Sequence, residues 1–219
     1  QLYERFISGL SNVNPKDLRQ AKLGLENLGR IDRGIDELSK SSIYYDTEQG
    51  QSVGQIRAKV RRHIVKHPGL KMIMIDYLGL IKLGKADRHD VAIGDVTAAL
   101  KGLAKEIKVP VVLIVQAKRG NDKSGSQPVM SDLKDSACIE ADADVVMFIN
   151  RPEISDPETE LKGITEIIIA KDRHNDGNGT IYMEKVNGTF LPLTMEQAAT
   201  AAHKEQTRLN PVKEKRGFK

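Results

Sequence analysis

Apolar positions recur at helical spacing through the first forty residues. Leu2, Phe6 and Leu10 form one stripe. Asn14-Pro15 sets a capping residue before a proline at the first helical position, and Leu18, Ala21, Leu25 and Leu28 continue the apolar face. Ile31, Ile35 and Leu38 predict a third short helix, and Ile43-Tyr44-Tyr45 reads as a strand. Ser52 caps a helix with Val53, Ile56, Val60 and Ile64 inside. Its outer face carries Arg57, Lys59, Arg61, Arg62 and Lys66, a set that fits either solvent or nucleic acid. The period then changes. Met72 to Asp76, Val111 to Val115 and Val145 to Ile149 are short, continuous apolar runs, the pattern of buried parallel strands. Asp90 to Ile107 between the first two is helical, with Val96, Leu100, Leu103 and Ile107 on one side. Arg119 to Pro128 is a polar, Gly-rich loop, Ser131-Asp132-Leu133 starts a short helix, and Asn150 to Gly163 reads as an exposed loop. Ile164 to Ala170 and Thr180 to Val186 are predicted strands joined by Asn175-Asp176-Gly177-Asn178-Gly179, a hairpin signal.

Strands alternating with helices imply βαβ crossovers: an α/β fold with a mostly parallel sheet flanked by helices and a C-terminal β-hairpin. Functional residues in such a sheet belong at the carboxyl ends of its strands. Asp76, Gln116 and Lys171 sit at or near such ends and are expected to converge on one rim. A carboxylate ending a buried strand can hold Mg²⁺, as in a nucleotide triphosphatase, or cap the next turn. An amide at Gln116 can meet a γ-phosphate or its attacking water, or simply end a strand. Lys171 and Arg173 alternate along a strand and so share a face. Two cations there repel unless an anion lies between them. A triphosphate from a neighbouring subunit fits, and so does a solvated edge. Glu140, Asp142 and Asp144 alternate before the Val145 strand and are expected to cap it and pair with bases rather than bind a metal. His63 and His67 are four apart with no general-base Glu between them, and Cys138 reads as a small apolar residue.

Composition narrows the classes. Hydrophobic residues make up 39% and charged ones 29% of 219, a soluble globular mix. Aromatics at 4%, with no Trp, speak against a sugar cleft or a stacking platform for bare bases. One Cys excludes a disulfide framework and a thiolate-rich zinc site. No apolar run approaches the roughly 18 residues of a membrane span, and no secretory signal is visible, so a cytoplasmic protein without a membrane partner is expected. The chain begins at Gln1 within a helical pattern and reads as a piece of a longer protein. His203 to Lys219 holds six bases and two acids, 6 − 2 = +4, which is the whole net charge of +4. Residues 1–195 are therefore expected to form one domain, and 196–219 a basic, disordered tail open to phosphates.

The ordered set of motifs resembles the C-terminal ATPase domain of DnaB-type replicative DNA helicases, a phage-type member included. The resemblance rests on IMIDYLGLI (Ile73 to Ile81), LKGLAKEIKVPVVLIVQAKR (Leu100 to Arg119), PVMSDLKDSACIEADADVVMFINR (Pro128 to Arg151) and IIIAKDRHNDGNG (Ile167 to Gly179). Gln1 to Arg5 resembles the segment just after that family's catalytic glutamate. The resemblance implies a RecA-like P-loop NTPase core, here N-terminally truncated, with ATP and Mg²⁺ as cofactors. It also implies a hexameric ring around single-stranded DNA, with primase and a helicase loader as partners. Asp76 corresponds to the Walker B acid for Mg²⁺, Gln116 to the γ-phosphate sensor and Arg5 to a base near the phosphates. Lys171 and Arg173 correspond to the pair that reaches a neighbour's ATP. Arg119 and Lys123 in the Gly-rich loop, with Lys134, Asp135 and Ala137, correspond to DNA contacts in the channel. Lys134, Asp135 and Ala137 stand where the family commonly has Arg, Glu and Gly.

One part is missing. No G-x-x-x-x-G-K-[ST] occurs, and Gly177 to Gly179 is not followed by Lys-Ser/Thr. The catalytic glutamate is expected just before Gln1. This chain alone is therefore expected to hydrolyse no ATP and unwind no DNA. A recombinase-type RecA ATPase and a non-catalytic nucleic-acid-binding or assembly module are the rival readings. The DSACIEADADVV stretch and the Lys171/Arg173 pair favour the helicase over the first, and the absent P-loop is what the second explains.

Overall fold

The computed structural model describes residues 2–21, 23–117, 127–133, 136–175, 179–187 and 189–209. Three helices open the chain: α1 (Leu2–Ser11), α2 (Pro15–Arg19) and α3 (Leu25–Ser39). Asn14 caps α2 through its side chain, with Pro15 following. Ser52 caps α4 (Val53–Lys66) in a reciprocal capping box with Gln55. There follow β1 (Ile73–Ile75), α5 (His89–Ile107), β2 (Val111–Leu113), α6 (Ser136–Asp142), β3 (Val145–Asn150), α7 (Pro152–Ser155), β4 (Ile164–Asp172), β5 (Gly179–Val186), β6 (Thr189–Pro192) and α8 (Met195–Leu209).

The α/β class holds, but the balance of its ladders differs from the expectation. β1 and β2 pair in parallel across the α5 crossover, Ile75 beside Leu113. The third apolar run, β3, instead joins a four-stranded antiparallel sheet in the order β3-β4-β5-β6. A continuous apolar run marks a buried strand without fixing the direction of its partner. The hairpin β4–β5 forms as expected. β6 extends it through Asn187, which takes a left-handed φ of 46°.

α4, α5 and α6 pack one face of both sheets. Ile93, Val96 and Leu100 of α5 meet Val146 and Phe148 of β3, together with Leu78, Ile81, Leu133 and Ile139. Leu103 is fully buried. The opposite face is open along β1, β2 and β3, while Thr165 of β4 is buried there. Met74, Ile114, Val145, Met147 (57% exposed) and Ile149 (73% exposed) point outward on alternate positions. Strands flanked by crossover helices are ordinarily covered on both faces, so this half-dressed layer leaves room for a further neighbour.

Three local expectations are corrected. Ile43 to Tyr45 is not a strand: its rings bind side chains instead, with Tyr45 centred 5.0 Å from Tyr3 and Tyr44 4.4 Å from His63. The 150–163 segment is exposed only in part: Pro152, Asp156, Thr159 and Leu161 are buried, while Ile154, Ser155, Pro157, Glu158, Glu160, Lys162 and Gly163 face solvent. Residues 196–209 of the expected tail belong to α8, started by a Thr194–Gln197 box in which each side chain accepts from the other's backbone N–H. Arg208 fastens it, donating to Asp156 at 2.5 Å and to Glu205 at 2.6 Å. Helix-favouring Ala, Glu and Gln and one latch outweigh the charge that suggested disorder. Residues 210–219 lie outside the described residues. Among the described residues no helix is long and apolar enough to cross a membrane.

Candidate functional site

The parallel pair positions the first two candidates. Ile114 N–H donates to Ile75 O at 3.0 Å, and Leu78 N–H donates back to Ile114 O at 2.9 Å. Asp76 and Gln116 therefore leave neighbouring strands at the same carboxyl rim, and both are exposed. The turn after Asp76 folds Tyr77 over Gly79. A Cβ at Gly79 would lie 2.5 Å from the Tyr77 ring, so any other residue there would force the ring to shift. A carboxylate and an amide side by side at a strand exit can hold a hydrated Mg²⁺ and a phosphate oxygen. These residues fit that pair of ligands. Among the described residues no cluster of three His, Cys, Asp or Glu side chains could bind a metal by itself, as befits an ion that rests largely on phosphate oxygens and water.

Lys171 and Arg173 do not join them. Ile73 N–H donates to Pro110 O, so the C-terminal end of α5 lies by the entry rim of β1 and β2. α6 runs alongside α5 in the same sense. Cys138 Sγ meets Asp90 O, Thr97 Oγ1 donates to Asp142 at 2.5 Å, and Lys101 pairs with Asp144. Asp90 to Lys101 is about 16 Å along the helix. Arg173 N–H donates to Asp144 O at 2.8 Å, which ties the β4 end to that distant level. The expected convergence of Asp76, Gln116 and Lys171 on one rim is thus corrected. β4 runs antiparallel to β3, which carries its carboxyl end away from that of β1.

The anion between the two cations is supplied from within the chain. Lys171 Nζ donates to Glu140 O, Arg173 donates to Ala141 O at 2.7 Å, and its other nitrogen lies 3.3 Å from Asp144. The carbonyl end of α6 is the negative end of a helix, so both cations are favoured there. Glu140, Asp142 and Asp144 were expected to cap the following strand and pair with bases. Glu140 and Asp142 stand on α6, Asp142 accepts from Thr97, and Asp144 pairs with Lys101 and Arg173.

The Lys101 ammonium is the main cause that holds the Asp144 carboxyl below the usual carboxylate range, with burial opposing and Arg173 helping. Asp46, Glu106 and Glu205 are lowered in the same way by Lys59, Arg61 and Arg208. A carboxyl lowered by folding adds stability that is complete above its unfolded pKa, about 3.9 for Asp, and is lost as pH falls through the lower folded value. Thermal melts should therefore show stability declining below about pH 4. Asp144→Asn should flatten part of that decline and leave the rest to the other lowered carboxylates, Asp46, Asp90, Glu106, Glu153, Asp172 and Glu205. A decline of unchanged steepness would contradict the role of the Lys101 pair.

Arg5 is exposed on α1, which packs against α2, α3 and β6. Ser8 of α1 donates to Asn187 O at 2.9 Å, so α1 is pinned to the β5–β6 turn. Ala137 is exposed at the start of α6. Arg119, Lys123, Lys134 and Asp135 lie outside the described residues. The base of their loop is nonetheless fixed, because Ala117 and Leu133 form an antiparallel bridge. Sequence reasoning passed over Glu166. It is 2% exposed and accepts from Gln127 at 3.0 Å and Asn150 at 2.7 Å. The signal was present: an acid inside an otherwise apolar strand, Ile164 to Ala170.

A βαβ unit with an acid ending its first strand and an amide just past its second, extended by an antiparallel sheet, agrees with the RecA-like core that the resemblance implies. Comparison with known proteins narrows it. The model of the DnaB-like helicase C-terminal domain matches residues 1–189, and the chain belongs to that family. It is 41% identical over 184 residues to replicative DNA helicase DnaC of Bacillus subtilis (strain 168), covering 83% of this chain and 40% of that protein. It is 38% identical over 186 residues to replicative DNA helicase DnaB of Geobacillus stearothermophilus, covering 84% and 40%. Two solved structures superpose on it. One, described as an ATPase domain, gives a TM-score of 0.79 at 34% identity, covering 87% of this chain and 69% of that one. The other, a DnaB-like replicative helicase described with its interactions with primase, gives 0.80 at 33%, covering 87% and 47%. The chain thus spans about two fifths of the length of these curated relatives.

Proposed function

We propose that this chain is the part of a replicative DNA helicase's ATPase domain that carries the Mg²⁺ acid, the phosphate sensor and the reach to a neighbouring subunit. The observation that carries the reading is the pairing of Asp76 and Gln116 at one carboxyl rim. In the working protein, ATP and Mg²⁺ sit at that rim, with Asp76 on the metal and Gln116 on the γ-phosphate. Arg5 lies toward the phosphates of that site. Lys171 and Arg173, held at the far end of α5, face the ATP of the adjoining copy in a six-membered ring. Hydrolysis moves the 118–132 loop and the Lys134 to Ala137 segment, which grip phosphates of single-stranded DNA without reading bases. Primase and a loader are partners of the whole assembly, and the compartment is the cytoplasm.

The open sheet face and the absent phosphate-binding motif point to a P-loop layer contributed by sequence outside these 219 residues. On this reading the purified chain is inactive by itself. A steady-state assay should find no ATP hydrolysis above background, with or without single-stranded DNA. In the complete helicase, Asp76→Asn should abolish DNA-stimulated hydrolysis, since the metal supplies several kcal/mol of charge stabilisation. DNA-stimulated turnover by the isolated chain, or an Asp76→Asn helicase of ordinary rate, would overturn the reading.

A further inference from the structure

The core face of the antiparallel sheet ends in a buried acid. Asn150 of β3, Glu166 of β4 and Tyr182 of β5 oppose one another in register and share the face that holds Val146, Phe148 and Ile168. Glu166 makes no ion pair among the described residues. Its two carboxylate oxygens are taken separately, Oε1 by the Gln127 side-chain amide and Oε2 by that of Asn150. A buried carboxylate is costly unless hydrogen-bonded, and these two amides give each of its oxygens a donor. Burial and the nearby Glu166 charge both push the Tyr182 phenol up. The three groups border a cavity of about 110 Å³ or lie beside it, and Glu205 and Leu209 of α8 close its far wall.

Gln127 is the informative partner. It is exposed, it belongs to no helix or strand, and it stands on the exit arm of the loop whose base is the Ala117–Leu133 bridge. Leu133 itself is in the core. The loop is therefore held at two levels, by the bridge at its base and by a charge-assisted hydrogen bond farther up its returning arm. An exposed glutamine has no need of a buried acid for its own solvation. The acid gains a donor, and the loop gains a fixed point on the sheet.

We propose that Glu166 is a positioning residue that clamps the exit arm of the 118–132 loop to the ends of β3 and β4, setting where the loop meets a phosphodiester strand. This deepens the helicase reading and rests on it for the identity of the strand; the clamp itself can be tested without it. The loop contains Lys118, Arg119 and Lys123, so trypsin reports on it in the 219-residue chain. Gln127→Ala, at an exposed position, should raise cleavage at these three sites about tenfold, the scale of one charge-assisted hydrogen bond. Cleavage at Lys101 in α5 should stay unchanged. Glu166→Gln should produce the same local rise. The double variant should cleave no faster than either single one, because both remove one interaction. Loop cleavage unaltered in Gln127→Ala, additive effects, or an equal rise at Lys101 would overturn the clamp.

Oligothymidylate separates the two claims. It should slow loop cleavage, and Gln127→Ala should need several-fold more of it for the same protection. Equal requirement in wild type and variant would overturn the positioning role. If the clamp pattern holds but the oligonucleotide protects neither protein, the DNA reading of the loop fails and the clamp stands.

Discussion

Mixed rings containing Lys171→Ala or Arg173→Ala subunits should lose ATPase activity faster than the mutant fraction rises. The reason is geometric. Both cations lie toward the entry rim, about 16 Å along α5 from the level of Asp90. On the proposed reading this places them for a nucleotide bound to another copy rather than for one beside Asp76 of their own chain. A cation supplied across an interface to a transferring phosphoryl group is worth about 10³–10⁵ in rate, which makes this the largest functional effect expected here. The present contacts set a competing state. Glu140 O, Ala141 O and Asp144 hold the pair against α6, and a neighbour's triphosphate must outbid a helix end and one carboxylate. Those contacts are exposed, so their loss should hardly change the stability of the isolated chain. Activity that falls in proportion to the mutant fraction, or a melting temperature that falls with it, would mean the pair only braces β4 against α6.

Phe148→Ala should destabilise the chain by about 3–5 kcal/mol, and Ile149→Ala by less than about 0.5 kcal/mol. The two residues are neighbours of similar hydrophobicity on one strand. Phe148 is 5% exposed against Val96 and Leu100 of α5, and Ile149 is 73% exposed on the open face. Removing the ring leaves a cavity that the packed helix cannot fill, whereas trimming the isoleucine removes surface already in water. Urea unfolding followed by far-UV circular dichroism measures both. In the complete protein the order should tighten, because a covering layer would bury Ile149 and make its loss cost as much as any core deletion. Equal costs in the isolated chain would contradict the one-sided packing.

Much of the candidate site was legible before any coordinates. Asp76 and Gln116 were readable because a short apolar run that stops at a polar residue gives both the strand and its exit. Capping chemistry gave the starts of α2 and α4, since Asn14-Pro15 and Ser52-x-x-Gln55 are local arrangements that need no partner. The Lys171/Arg173 pair was visible as two cations on one face, but its counter-anion was not, because Asp144 and the end of α6 come from about thirty residues away. The acids before β3 were expected to pair with bases, and Asp144 does so, but its partners Lys101 and Arg173 come from α5 and from beyond β4, which the spacing alone does not name.

Local patterns thus determined the sequence of helices and strands, the acid and amide at two strand exits, and the absence of a phosphate-binding loop within these residues. The tertiary structure alone decided which ladder β3 would join, that the cations face away from the chain's own Asp76, and that Glu166 ties a loop to the sheet. Hydrophobic period and capping act over one turn or one strand. Strand direction, rim and clamp depend on contacts between residues far apart in the chain, which only the folded chain brings together.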